Sequence, residues 1–272
     1  MCKDCGCLTA THPVFSHSHS HSHGHDHAHT HTHESSSASL TRRIHVEENL
    51  FMQNQRFAAE NRHFFSQLKL TVFNFMSSPG SGKTALLSAV LPLLQKQHPL
   101  AVVVGDQETD MDAARLRKAG LMSFQINTHS ACHLDAHRIR HAVEQLPLQE
   151  LEWLIIENVG NLVCPAVFDL GEAFKVALLS TTEGEEKPLK YPVLFHDADL
   201  VVVTKGDLIP HLDFDSRLLL RNIRTLNPTA AVVFCSVKSG EGIAEVAAAL
   251  ENLAPTRGLT HVPGHSSTDT HA

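Results

Sequence analysis

Apolar residues in this chain fall into continuous runs separated by stretches of helical spacing. The runs Thr71–Met76 (TVFNFM), Leu100–Val104 (LAVVV), Ser123–Asn127, Trp153–Glu157 (WLIIE), Lys175–Leu179, Leu200–Thr204 (LVVVT) and Ala231–Cys235 (AVVFC) predict strands. Helices are predicted between most of them, over Asp110–Ala119, His133–Leu146, Phe214–Leu226 and Ile243–Leu253. Strands apolar at consecutive positions are buried on both faces, which implies a largely parallel sheet covered by helices. Upstream, Leu50, Phe57, Phe64, Phe65 and Leu68 recur at roughly helical spacing, predicting one or two amphipathic helices between Thr41 and Leu70. Pro92 lies in the helix expected after the first strand, where a kink or an early stop is expected.

The two ends lack this patterning. Of the 272 residues, 22 are histidine, as many as Lys and Arg together, and ten of them lie between His12 and His33. From His17 they alternate strictly: His17, His19, His21, His23, His25, His27, His29, His31 and His33, spaced by Ser, Gly, Asp, Ala and Thr. Such spacers build no core, so this segment is expected to be disordered. Its imidazoles suit nickel, zinc, copper and cobalt, as a reservoir of many loosely defined sites. Three more histidines, His261, His265 and His271, sit in a polar tail. The remaining nine are an ordinary number for a folded domain, and only His133 among them draws a functional assignment.

Composition narrows the function class. A hydrophobic fraction of 42% supports one sizeable core, and a net charge of -7 argues against nucleic-acid binding. No apolar run reaches the roughly 18 residues of a membrane span. The start, MCKDCGC, carries no basic segment leading into an apolar one, so no secretory leader is expected. Cysteines in such a chain read as reduced thiols in the cytoplasm. Cys2, Cys5 and Cys7 are dense enough to present three thiolates to one metal ion, with Gly6 allowing the tight turn.

The central chemistry follows the first strand, in Ser77-Ser78-Pro79-Gly80-Ser81-Gly82-Lys83-Thr84 and a helical run. Strand, loop and helix are the context of a phosphate loop. Gly80 and Gly82 let backbone N–H groups turn onto phosphate oxygens, flanked by Pro79 and Ser81, and the helix N-terminus adds its positive dipole. Lys83 is expected to bridge the β- and γ-phosphates and Thr84 to ligate Mg²⁺. Ser77 stands where the general motif has its first glycine.

The strand Leu200–Thr204 leads into Thr204-Lys205-Gly206-Asp207, which resembles a guanine motif; Thr204 stands where Asn is commoner. The Asp207 carboxylate is expected to accept from N1 and N2 of guanine, a donor pair that adenine lacks. Ser236-Val237-Lys238 after the last strand resembles the loop that closes over the base, with Ser236 and Lys238 as its contacts. The strand Trp153–Glu157 ends in Glu157-Asn158-Val159-Gly160, resembling a Walker B and switch pattern in which the Gly160 N–H senses the γ-phosphate. Asp106, at the end of another strand, is placed to orient Mg²⁺ or the attacking water; helix capping is the plainer role for Asp106 and Glu157. No glutamine is placed to orient that water, so slow intrinsic turnover is expected; for comparison, an unassisted GTPase can turn over at only about 10⁻³ s⁻¹ or less.

Cys132 and His133 precede one predicted helix, and Cys164 follows the switch segment. Spacing alone fits either a metal site or two free thiols with a capping histidine. One chain offers three ligands, so closing a tetrahedron would take two subunits sharing ions across a two-fold axis.

Taken together, the chain resembles the HypB family, the GTPases that help insert nickel into [NiFe]-hydrogenases. The resemblance is carried by Cys2-x-x-Cys5-Gly6-Cys7, the His-rich stretch, Ser78–Thr84, Gly105-Asp106, Cys132-His133-Leu134-Asp135-Ala136, Glu157–Pro165 and Thr182–Pro192. It implies an α/β P-loop GTPase with a largely parallel central sheet flanked by helices, preceded by a disordered Cys/His-rich segment. The expected regions are 1–40 (metal-binding segment), 41–69 (helical lead-in), 70–254 (GTPase domain) and 255–272 (tail). It further implies a tight nickel site at the terminal cysteines, a weaker nickel or zinc site at Cys132, His133 and Cys164, and a GTP-dependent homodimer. A HypA-type metallochaperone and the hydrogenase large-subunit precursor are its implied partners. A nickel or zinc store with a subsidiary GTPase, and a urease-type nickel-insertion GTPase, are the alternatives.

Overall fold

The computed structural model describes residues 35–106, 110–128 and 133–254, with the side chains of the first helix from residue 48 onward. Cys2, Cys5, Cys7, the histidines from His17 to His33, Cys132, and the polar tail lie outside the described residues. By contacts the chain divides after Arg43, and the second unit, Ile44–Ala272, holds the sheet and both of its faces.

Among the described residues, seven strands form one wholly parallel sheet: β1 (Thr71–Ser77), β2 (Leu100–Asp106), β3 (Met122–Asn127), β4 (Trp153–Glu157), β5 (Phe174–Ser180), β6 (Leu200–Thr204) and β7 (Ala231–Phe234). Their order is β3-β2-β4-β1-β5-β6-β7. Every sequence-predicted strand is present, β4 and β6 with the same ends and the others with ends shifted by at most two residues. All seven residues of β1 are buried, as are all five of β4 and of β6, which is why their sequences run apolar without alternation.

Side chains nevertheless alternate between two faces. Phe73 and Phe75 of β1 join Leu86, Leu87, Val90 and Leu91 of α2 (Lys83–Leu94), Leu116 of α3 (Met111–Lys118) and Leu250 of α9 (Ile243–Leu253). Val72 faces the other way, toward Phe65 of α1 (Ser35–Gln67) and Ile139 of α4 (Ala136–Val143). On that same face Met76 meets Leu194 of α7 (Pro192–His196) and Leu219 of α8 (Ser216–Leu226). The short α5 (Cys164–Val167) and α6 (Lys187–Lys190) lie in the connections.

Two helix starts differ from the sequence reading for one reason. Asp135 accepts from the Arg138 N–H at 2.8 Å and Asp215 from the Arg217 N–H at 2.8 Å, so α4 and α8 begin after these caps. His133 therefore precedes α4 instead of opening it. The segment between Thr41 and Leu70 is a single helix, and α2 runs through Pro92 to end at Leu94.

Candidate nucleotide site and adjoining metal loop

The phosphate loop leaves the central strand and turns through Gly80 (φ 72°) and Gly82 (φ 94°), left-handed conformations that admit little but glycine. Ser81 Oγ donates to the Ser78 carbonyl at 2.8 Å, which closes the turn. Lys83 Nζ lies 2.8 Å from Ser77 Oγ and is buried. The serine that replaces the usual first glycine thus gives the ammonium an acceptor. Burial holds the Lys83 pKa below its ordinary value against the pull of Glu157, Asp112, Glu183 and Asp106.

Thr84 Oγ1 donates to Glu157 Oε1 at 2.6 Å. The second oxygen, Oε2, is buried without a hydrogen-bond partner. Burial pushes the Glu157 carboxyl up to about 7, although the Thr84 hydroxyl and Lys83 pull it down. Asp106 ends β2 and acts on both Lys83 and Glu157, as does Asp112 in the first turn of α3, which the sequence reading missed. A β-carbon at Gly160 would stand 3.0 Å from Pro79 Cα, so the segment after Glu157 runs directly against the phosphate loop.

The base-loop residues attach to the same loop. Thr204 Oγ1 donates to the Ser81 carbonyl at 2.6 Å, and Lys205 Nζ reaches the Gly80 carbonyl at 2.9 Å. Threonine at this position therefore anchors the loop directly. Asp207 Oδ1 accepts from Ser236 Oγ at 2.7 Å, and Lys238 Nζ lies 4.0 Å from Asp207 Oδ2. The Gly206 N–H donates to the Cys235 carbonyl at 2.9 Å, joining the two base loops. Glu183, in the segment after β5, also belongs here: Ser78 Oγ donates to its Oε2 at 2.5 Å, and Lys187 pairs with it at 3.2 Å.

The segment expected to carry metal ligands, described from His133 onward, lies beside this site. Leu134 is buried at the end of β2, where a β-carbon at Gly105 would meet it at 2.7 Å. The Leu134 N–H donates to Asn158 Oδ1 at 3.3 Å, and the Asn158 amide donates to Asn74 Oδ1 of β1 at 3.2 Å. Thus Asn158, next to Glu157, ties the His133-Leu134 segment to the central strands. The His133 ring stacks on Phe168, just beyond α5, with centroids 3.8 Å apart, and burial holds the pKa of His133 down. Cys164 is the first residue of α5 and is half-buried. Among the described residues no three metal-capable side chains converge.

From the other side, α1 grips the same segment. Asn54 Oδ1 accepts from the Ala136 N–H at 2.9 Å, and Asn61 Nδ2 donates to the carbonyls of Ala136 (2.8 Å) and Leu170 (3.0 Å). These asparagines stand seven residues apart, two turns along one helix face, and that spacing was the one available sign of them in the sequence.

Known proteins share this sequence and fold. A family model described as CobW/HypB/UreG, nucleotide-binding domain, matches residues 71–234. The hydrogenase maturation factor HypB of Azotobacter vinelandii is 53% identical over 219 residues, covering 80% of this chain and 72% of that protein. The factor of the same name from Escherichia coli strain K12 is 49% identical over 205 residues, covering 75% and 71%. The crystal structure of HypB from Helicobacter pylori in complex with nickel superposes with a TM-score of 0.71 at 39% identity, over 77% of this chain and 99% of that one. HypB from Archaeoglobus fulgidus superposes with a TM-score of 0.69 at 33% identity, over 75% and 99%. No helix among the described residues is long and apolar enough to cross a membrane. With the matched model spanning every strand of the sheet, and relatives this similar, the chain belongs to the HypB family.

Proposed function

We propose that this protein is a GTP-hydrolysing nickel metallochaperone. It stores nickel and delivers it to the [NiFe]-hydrogenase large-subunit precursor in the cytoplasm, together with a HypA-type partner. The observation that carries this reading is the position of Glu157. One of its oxygens holds Thr84 at the foot of the phosphate loop, the other is buried and unpartnered, and the chain runs from it past Gly160 to Cys164. The names of the relatives, and the nickel held by the Helicobacter pylori protein, support the assignment of cargo.

An unpartnered carboxylate oxygen beside a threonine hydroxyl is a hard-oxygen pair that fits Mg²⁺. Bound there, Mg²⁺ would neutralise charge on the terminal phosphates as it builds. The chain's own groups do the rest. Lys83 turns from Ser77 to the β/γ-phosphates, while Pro79–Gly82 present backbone N–H groups to phosphate oxygens. Asp207, held by Ser236 and Lys238, accepts from the guanine N1 and N2 donors. Asp106 orients the attacking water.

Coupling to metal follows from adjacency. Any displacement of 157–160 on γ-phosphate loss acts through Asn158 on Leu134, and so on the loop carrying Cys132 and His133, while Cys164 moves with the switch segment. The valines on either side of Cys164, Val163 and Val167, are exposed, which suits a GTP-dependent dimer sharing nickel or zinc across this face. Cys2, Cys5, Cys7 and the histidines from His17 to His33 act as the nickel store. By linkage, nucleotide state and metal affinity bias each other equally.

The test is nickel release from the full chain into a competing chelator, with GDP and with a non-hydrolysable GTP analogue, beside steady-state hydrolysis of GTP and ATP. Release that depends on the nucleotide, with GTP the preferred substrate, is expected. Identical release in both nucleotide states refutes the coupling, and equal use of ATP refutes the base assignment.

A further inference from the structure

We propose that His137 and His141 form a two-ligand site for a borderline divalent cation of the nickel–zinc class on the outer face of α4. This site is additional to the nucleotide pocket and to the metal loop. The two residues stand at i and i+4, so their side chains project from one helix face. Their Nε2 atoms are 3.1 Å apart, with ring planes at 90° and centroids 4.5 Å apart. Metal–imidazole bonds of about 2.0–2.1 Å would then subtend about 95–102° at a shared ion, between the octahedral and tetrahedral angles. Paired histidines at this helical spacing are the arrangement by which a single helix supplies two nitrogens to zinc.

The surroundings fix the pair. The Phe57 ring of α1 packs on His137 at 4.8 Å, and Asp135 caps the helix two residues before it. Glu144 Oε2 lies 3.8 Å from His141 Nδ1, placed to orient the ring from its far nitrogen, as carboxylates do behind metal-bound histidines. The flanking guanidiniums are already paired, Arg138 with Asp135 at 3.2 Å and Arg140 with Glu144 at 3.0 Å, so they oppose a cation weakly. With no third protein ligand converging among the described residues, the other coordination positions stay open to water. An ion held this way exchanges readily, which suits transit. His133, His137 and His141 repeat every four residues, so the pair continues outward from the metal loop along α4.

The experiment is footprinting of the full chain with diethyl pyrocarbonate during a nickel(II) titration, read ring by ring by mass spectrometry. His137 and His141 are expected to become protected with one common midpoint. At nickel ten times that midpoint the free fraction is about one in eleven, so modification slows about tenfold. In His141→Ala, the midpoint of His137 should rise at least about tenfold, while protection of His17–His33 is unchanged. Unprotected His137 and His141 alongside a protected reservoir overturn this inference and leave the proposed nickel function standing. Loss of protection at the reservoir as well removes both. Separate midpoints for the two rings overturn chelation.

Discussion

Replacing Glu157 by glutamine should separate stability from activity in a pH-dependent way. The carboxyl is pushed up to about 7 in the folded protein by burial, against a usual value of 4.5. A buried acid with a raised pKa destabilises the fold as it ionises. The cost is absent below about pH 4, grows between 4.5 and 7, and is complete above 7. At 1.36 kcal/mol per pH unit, a shift of this size costs about 3 kcal/mol at pH 8 and about 1 kcal/mol at pH 5.5. Glutamine does not titrate and keeps an oxygen for the Thr84 hydroxyl. Its amide hydrogens take the place of the unpartnered Oε2, at a cost of about 1–3 kcal/mol that does not change with pH. The difference between the two pH values is therefore the quantity to measure, about 2 kcal/mol in favour of the variant. For a domain of this size that amounts to about 4–8 °C in Tm. Thermal unfolding followed by circular dichroism, with chelator and without nucleotide, reads it directly at pH 5.5 and 8. Hydrolysis by the same variant should fall, because the neutral amide no longer offers charge to the cation on the phosphates. A Tm difference between variant and parent that is the same at both pH values would refute the assignment of a raised Glu157 pKa.

Three further outcomes are expected. Asp207→Asn should cost GTP at least about tenfold in affinity, since hydrogen bonds to a charged group are each worth about 1.5–3 kcal/mol, and should gain xanthosine triphosphate; competition binding with both nucleotides checks this, and unchanged preference removes Asp207 from the base site. Thr204→Val keeps the shape but loses the bond to the Ser81 carbonyl, and should weaken nucleotide binding by about 1 kcal/mol, roughly fivefold, with strand β6 intact by circular dichroism. Asn61→Ala leaves the carbonyls of Ala136 and Leu170 without their shared donor, and should lower stability by about 2–3 kcal/mol in urea unfolding; a midpoint within experimental error of the parent's would mean that α1 does not hold the metal loop.

Much of this molecule is legible in the chain itself. A strand buried on both faces must be apolar at consecutive positions, so the inner strands of the sheet can be read locally, and a strand–loop–helix with Gly80, Gly82, Lys83 and Thr84 reads as a phosphate loop. The Thr204–Asp207 motif and the grouping of Cys2, Cys5 and Cys7 are equally local, because each depends on residues within a few positions of one another. Contacts between distant segments carry no such mark. The sheet order that sets β1 between β4 and β5 brings Glu157 against Thr84, 73 residues away, and burial there, with the nearby Asp112 and Asp106, raises its carboxyl. Thr204 reads as a departure from the guanine motif until folding sets its hydroxyl 2.6 Å from Ser81, 123 residues away. His137 and His141 look like ordinary surface histidines until the helix register sets their Nε2 atoms 3.1 Å apart, with Phe57 packed on His137. Residue types and local spacing are properties of the chain, whereas desolvation and hydrogen bonding between segments far apart in sequence exist only once the sheet has closed.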